Sequence, residues 1–203
     1  MSLVVAACGG GTDSGGSDGL QIVATTTIIG EVVSNVVGDD ATVIVLTPNG
    51  ADPHDFQPSS AQVALINEAD LVVANGLSLE EGLVDVLEAA RDDGANVLEL
   101  APTLDPLPFS GGHTDDEQHD EDGDHDEDEG HDEGEDHAES EDSHDHEGGL
   151  DPHFWFDPLR MGEAAELIAA ELEAISPGPH WSGRAAAYAD RLAETDQRII
   201  DML

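Results

Sequence analysis

Cysteine, basic residues and long apolar runs are scarce in this sequence, and each shortage excludes a class of protein. The single cysteine, Cys8, excludes a disulfide framework and a zinc site built from thiolates. There is no lysine, and five arginines face 47 acidic residues, so we expect cations rather than nucleic acid as electrostatic partners. No apolar run is long enough to span a bilayer.

The remaining composition is that of a folded acidic domain. The chain has 203 residues and is 38% hydrophobic, which is enough for one domain with a core. Twenty of the 47 acidic residues lie in residues 113–148, and the other 27 against five arginines leave a net charge of −22 elsewhere. The segment 113–148 therefore differs in kind from the rest of the chain.

The N-terminal residues resemble the processing site of a bacterial lipoprotein. Small residues precede Cys8, and residues 9–19 are rich in glycine and serine, as is typical of a flexible tether. Only residues 3–7 form an apolar run before the cysteine, and a signal peptide needs about 7 to 15. We therefore expect residues 1–19 to be a truncated lipoprotein signal and tether, with Cys8 lipidated; the alternative is an added leader with an incidental cysteine.

Residues 20–100 alternate between short apolar runs and helical patterns. The apolar runs are rich in β-branched residues, as in buried parallel strands, and comprise residues 21–26, 42–46, 71–74 and 96–100. Helical segments lie between them. This order predicts an α/β fold, with a four-stranded parallel sheet that carries helices on both faces. In such sheets, ligands bind beyond the carboxyl ends of the strands.

Two capping-box patterns predict where the second and third helices begin. Ser59 with Gln62 opens a helix over residues 60–68, and Ser78 with Glu81 opens one over 79–92. Later in the chain, Asp157 and Pro158 predict the start of a helix, because aspartate favours the N-cap and proline the first helical position.

The same three residues, Asp-Pro-His, occur at residues 52–54 and 151–153. Proline has a fixed φ and restricts the residue before it, so each histidine leaves a stiff turn. His54 follows the second strand directly and is expected at the carboxyl edge of the sheet. We predict that His54 and His153 are metal ligands. Two unrelated Pro-His turns are the alternative.

Residues 101–150 are predicted to be a disordered insertion outside the packed core. Its histidines begin with a period of six among acidic residues and glycines: His113, His119, His125, His131, His137, His144 and His146. Imidazole and carboxylate groups together favour weak, multivalent binding of divalent ions. An acidic spacer with incidental histidines is the alternative.

Two helices are expected after the second motif. Phe154, Trp155 and Phe156 are predicted to pack against the sheet, ahead of a helix that ends near residue 176. A last helix runs from Trp181 to the end of the chain, along an apolar seam that comprises Trp181, Ala185, Tyr188, Leu192, Ile199 and Met202.

Several segments together resemble the zinc and manganese solute-binding lipoproteins of bacterial ABC importers, above all the zinc-uptake branch with its His-rich loop. They are ATTTIIGEVVSNVVGD, VIVLTPNGADPHDFQPS, ADLVVANGLSLE, the His-rich insertion and DPHFWFDP. The resemblance implies two α/β lobes joined by a long helix, with the ion between the lobes. Residues 20–175 would be the first lobe and residues 181–203 the start of the connecting helix, with the second lobe missing.

The resemblance also implies the site and its partners. His54 and His153 match the two metal-ligating histidines of the first lobe, and Glu80 matches an acidic residue with a structural or supporting role. The cargo would be Zn²⁺, or alternatively Mn²⁺, delivered by a membrane-anchored, extracytoplasmic monomer to an ABC permease. Zinc sites need about four ligands, so two histidines are half a site, and binding is lost as falling pH protonates them.

Two other functions are weighed against metal uptake. A zinc hydrolase needs a third ligand and a positioned general base, and no H-E-x-x-H pattern is present, so we expect no enzymatic activity. A secreted metal buffer or chaperone acting through the His-rich loop is the stronger alternative.

Overall fold

A computed structural model describes residues 19–108, 149–178 and 180–203 of the chain. Within these residues, four parallel strands form one sheet in the order β2-β1-β3-β4. The strands are β1 Leu20–Ala24, β2 Ala41–Val45, β3 Leu71–Ala74 and β4 Val97–Glu99.

Helices cover both faces of this sheet. They are α1 Thr27–Val37, α2 Ser60–Glu68, α3 Val84–Asp92, α4 Pro158–Ile175 and α5 Trp181–Ile200, with short 3-10 helices at Glu81–Leu83, Ala101–Thr103 and Phe154–Phe156. Because successive strand residues point to opposite faces, Ile22 joins one core with α1, α4 and α5, and Val23 joins another with α2 and α3. The predicted α/β fold is confirmed.

Side-chain caps start three of the helices. Ser59 and Gln62 form the predicted capping box at α2, with both reciprocal hydrogen bonds present. Asp157 accepts hydrogen bonds from the backbone N–H groups of Leu159 and Arg160 at the start of α4. Thr26 caps α1 in the same way.

The predicted cap at Ser78 is wrong. Its φ is 55°, and that of Leu77 is 53°, so both residues occupy the left-handed region rather than the extended conformation that an N-cap requires. Glu81 begins a 3-10 helix instead, and α3 begins only at Val84. The turn that follows β3 is therefore tighter than the sequence pattern indicates.

The predicted insertion begins too early. Ala101 and Leu104 are buried in the core that contains α1 and α4, so these residues belong to the domain. Asp151 donates its N–H to Leu107 O at 2.7 Å, and Pro108 pairs with Leu150 in an isolated antiparallel bridge. The described residues that flank positions 109–148 are thus paired beside the second Asp-Pro-His motif.

Helix α5 packs on α1 and α4 through its first half. Trp181 and Ala185 are buried, and Arg184 donates to Val37 O at 2.7 Å and to Asp40 Oδ2 at 2.6 Å. The predicted apolar seam does not extend to the end, because Ile199 is 40% exposed and Met202 is 77% exposed.

Candidate metal centre

The structure brings the two Asp-Pro-His motifs together at the carboxyl edge of the sheet. The first motif follows β2, and the second precedes the 3-10 helix Phe154–Phe156. The ring centroids of His54 and His153 are 6.2 Å apart, with their planes inclined by 50°. Two histidines separated by 99 positions in sequence are therefore neighbours in space.

Both motifs adopt the same turn. Oδ1 of Asp52 accepts the backbone N–H of His54 at 3.0 Å, and Oδ1 of Asp151 accepts that of His153 at 2.9 Å. An aspartate that bonds the backbone two residues further on forms an Asx turn, and the intervening proline restricts it further. This shared turn explains why the sequence repeats aspartate and proline before each histidine.

The second motif also orients its imidazole ring. His153 Nδ1 lies 2.7 Å from Asp151 Oδ1, the same oxygen that accepts the backbone bond. A carboxylate can only accept, so Nδ1 carries the proton in this pair and Nε2 keeps a lone pair for a metal ion. Histidine ligands of metal sites commonly donate their other ring N–H to a carboxylate in this way.

The first histidine has a different acidic neighbour. His54 Nδ1 lies 3.9 Å from Glu81 Oε1, which is too far for a hydrogen bond. The sequence pattern assigned Glu81 to a helix cap and missed this contact. The one feature of the sequence that could have indicated this contact is the position of Glu81 shortly after β3, at the sheet edge where ligands bind.

Aromatic residues border His153 on one side. The Trp155 ring meets it edge to face, with centroids 5.0 Å apart. Phe154 is buried in the core as predicted, but Phe156 is 81% exposed, so the prediction that it packs against the sheet is wrong. The 3-10 helix turns adjacent side chains in different directions, and Phe156 faces outward.

Glu80 lies inside the domain and supports the loop after β3. Its carboxylate accepts hydrogen bonds from the Thr25 hydroxyl, from Asn75 N at 2.9 Å and from Gly76 N at 3.3 Å. Burial raises the pKa of this carboxyl group, an effect that the three donors oppose. These contacts fit a structural role, and the supporting role of Glu80 at the metal centre stays a prediction.

The separation of the two histidine rings can be compared with that of a zinc site. With Zn–N bonds of about 2.1 Å, two imidazoles on one tetrahedral zinc ion have ring centroids about 5 Å apart. The observed separation of 6.2 Å is roughly 1 Å longer. In the described ranges, no group of three or more histidine, cysteine or acidic side chains is placed to hold a metal.

The other predicted site residues lie outside the described part of the chain. They are the lipidation candidate Cys8 and the loop histidines His113, His119, His125, His131, His137, His144 and His146. The described helices include none with the length and apolar character needed to cross a membrane.

Comparison with known proteins identifies relatives over the whole chain. The model of the family described as zinc-uptake complex component A, periplasmic, matches residues 22–203. The manganese-binding lipoprotein MntA of Halalkalibacterium halodurans is 29% identical over 208 residues, which cover 100% of this chain and 57% of MntA. The zinc-binding lipoprotein AdcA of Streptococcus pneumoniae is 31% identical over 204 residues, which cover 100% of this chain and 36% of AdcA.

Solved structures have the same fold. The periplasmic zinc-binding protein TroA from Treponema pallidum matches with a TM-score of 0.67 and 22% identity, over 89% of this chain and 54% of that one. The Zn(II)-bound ZnuA-like domain of S. pneumoniae AdcA matches with a TM-score of 0.63 and 25% identity, over 88% of this chain and 54% of that one. The chain spans 57% of the length of MntA, 54% of TroA and of the AdcA domain, and 36% of AdcA. The sequence match over residues 22–203 shows that the chain belongs to the periplasmic zinc-uptake component A family.

Proposed function

We propose that this chain forms half of an extracytoplasmic site for a divalent metal ion, and that the ion is zinc. The observation that carries the proposal is the pair of rings of His54 and His153, 6.2 Å apart at the carboxyl edge of the sheet. The contact of Asp151 with His153 Nδ1 supports it, because the proton on Nδ1 leaves Nε2 able to bind metal.

The whole protein is proposed to capture one ion and deliver it to an ABC-type membrane permease. Relatives named as metal-binding or substrate-binding lipoproteins of ABC transporters support this role, and they also favour a transport protein over an enzyme. Residues 20–175 would be the first lobe and residues 181–203 the start of a helix leading to a second lobe. That lobe would supply the remaining ligands, and the working unit would be a monomer.

Zinc is preferred over manganese because of the ligands. Imidazole nitrogens suit zinc, whereas manganese favours carboxylate, carbonyl and water oxygens. Manganese stays the alternative, since one relative that aligns with the entire chain is named as manganese-binding. Titrating the full-length protein with zinc in the presence of excess manganese tests the choice. Displacement of bound zinc by manganese at a concentration comparable with that of zinc would contradict the preference for zinc.

The N-terminal residues are proposed to anchor the protein outside the cytoplasm. Lipidation of Cys8 and a tether over residues 9–19 would place the metal-binding domain close to its permease. Several relatives are named lipoproteins, which supports this location. Mass spectrometry of membrane-extracted protein should detect an acylated Cys8, and release into the medium of the unmodified chain would contradict the anchor.

The His-rich segment 113–148 is proposed to raise the local zinc concentration beside the site. The described residues on either side of it, Pro108 and Leu150, pair in a bridge only a few residues from His153. Because the segment is attached so close to His153, its histidines have a high effective concentration near the site. If zinc is captured at equal rates with and without residues 113–148 when zinc is limiting, the segment does not have the proposed role.

The main alternative is a metal buffer or chaperone that acts through the His-rich segment. Calorimetric titration of the full-length protein separates the two functions. For an importer subunit, His54→Gln with His153→Gln abolishes one tight site, while deletion of residues 113–148 leaves it intact. For a buffer, the histidine replacements leave several weak sites unchanged and the deletion removes them.

A further inference from the structure

Asn75, the first residue after β3, contacts the second motif across a large distance in sequence. The residue is 1% exposed, and its Nδ2 donates to Pro152 O at 3.1 Å. The same Nδ2 donates to Gly76 O at 3.1 Å. Both neighbours of Nδ2 are carbonyl acceptors, so the orientation of the Asn75 amide is determined by its contacts.

This bond holds the peptide unit that carries His153. The carbonyl of Pro152 and the N–H of His153 belong to one planar peptide group. Its oxygen accepts from Asn75 Nδ2 and also from the backbone N–H of Phe154 at 3.0 Å, and its N–H donates to Asp151 Oδ1 at 2.9 Å. With both polar atoms of that plane restrained, the direction in which the His153 side chain leaves the backbone is restrained as well.

Asn75 is in turn connected to the strand ends beneath the first motif. Its backbone N–H donates to Glu80, and Glu80 also accepts the hydroxyl of Thr25 at the end of β1. Thr25 O accepts the N–H of Thr47, which follows β2 and leads toward His54. A buried series of hydrogen bonds therefore runs from the chain before the first motif to the peptide of the second.

We propose that Asn75 is a positioning residue for metal binding, and that the series through Thr25 and Glu80 sets the separation of the two histidine rings. This inference rests on the proposed function, because it assigns Asn75 a role at that site. Asn75 does not touch the ion. It acts by holding the Pro152–His153 peptide, so that the ring arrives already oriented.

The test is Asn75→Ala in the complete chain, with zinc binding followed at individual rings. Long-range ¹H–¹⁵N spectra resolve the histidine side chains, and His153→Gln assigns the signal of His153. We expect the zinc concentration that half-saturates His153 to rise about tenfold, the lower end of the effect for residues that support metal ligands. Without zinc, the share of the Nδ1-protonated form of His153 should also fall.

Two controls separate positioning from general stability. Asn96→Ala removes a similar bond, from Asn96 Nδ2 to Asp70 O at 3.0 Å, at the opposite edge of the sheet. Ile66→Val removes one methyl group from the buried core under α2. Both should leave the half-saturation of His153 unchanged. If Asn75→Ala weakens zinc binding no more than Ile66→Val does, Asn75 is only structural and the inference is overturned.

A measurement on the unaltered chain covers the case in which Asn75→Ala does not fold. The side-chain amide signals of Asn75 should shift with zinc at the same half-saturating concentration as the His153 ring. Signals that do not respond would overturn the inference while His153 still binds zinc. Failure of both His54 and His153 to respond in the unaltered chain is a different result, which overturns the proposed function itself.

Discussion

Replacing Asp151 by asparagine measures how much its charge contributes to the metal centre. Oδ1 of Asp151 accepts two hydrogen bonds from His153, one from the backbone N–H at 2.9 Å and one from ring Nδ1 at 2.7 Å. Asparagine keeps an oxygen at this position and can keep the turn. It removes the negative charge that strengthens the bond to the ring.

The expected loss follows from the strength and exposure of that bond. A hydrogen bond to a charged group contributes about 1.5–3 kcal/mol to stability, and a neutral one about 1 kcal/mol. The side chains of Asp151 and His153 are 36% and 29% exposed, so solvent screens part of the difference. We therefore expect Asp151→Asn to weaken the free energy of zinc binding by about 1 kcal/mol, which is about a fivefold rise in the zinc dissociation constant.

The first motif supplies a matched control. Oδ1 of Asp52 accepts the backbone N–H of His54, but the ring Nδ1 of His54 faces Glu81 at 3.9 Å. Asp52→Asn should therefore change zinc binding less than twofold. Ring-resolved zinc titrations of both variants in the complete chain decide the matter. Equal losses in the two variants, or no loss for Asp151→Asn, would refute a special role for the ring contact.

Three further predictions concern the framework around the site. Ser78→Gly should raise the free energy of unfolding by about 0.5–1 kcal/mol, since the left-handed φ of 55° strains a residue with a Cβ; a lower urea midpoint would contradict this. Glu80→Gln should lower the free energy of unfolding. Burial raises the pKa of Glu80, so the unaltered chain itself loses stability as the pH rises from about 4.3 through the folded pKa, whereas the glutamine variant does not. The destabilisation by Glu80→Gln should therefore shrink over this pH range. A destabilisation that instead grows with pH would show that the three donors outweigh burial. Gly82→Ala should lower the free energy of unfolding by about 1–3 kcal/mol, because its Cβ would lie 2.4 Å from Phe56 O. Gly183→Ala, on the open face of α5, should raise it by about 0.5–1 kcal/mol. Thermal unfolding of the two variants compares these effects.

Local patterns in the sequence predicted most of the fold. Four β-branched runs alternating with helical segments predicted the parallel sheet, because periodicity and capping are properties of a few neighbouring residues. The capping box at Ser59 and the Asp157–Pro158 start of α4 were correct for the same reason. The pattern at Ser78 failed because the turn after β3 is tightened by contacts with the core, where Glu80 is buried against the end of β1.

The sequence by itself determined that two stiff Asp-Pro-His turns exist and that the first follows a parallel strand, because proline and aspartate restrict the chain locally. Only the tertiary structure decided that the two rings lie 6.2 Å apart, that Asp151 orients one of them, and that Asn75 holds its peptide. The contact of Asn75 joins positions 77 residues apart, and such a pairing depends on how the strands and helices pack rather than on any local pattern.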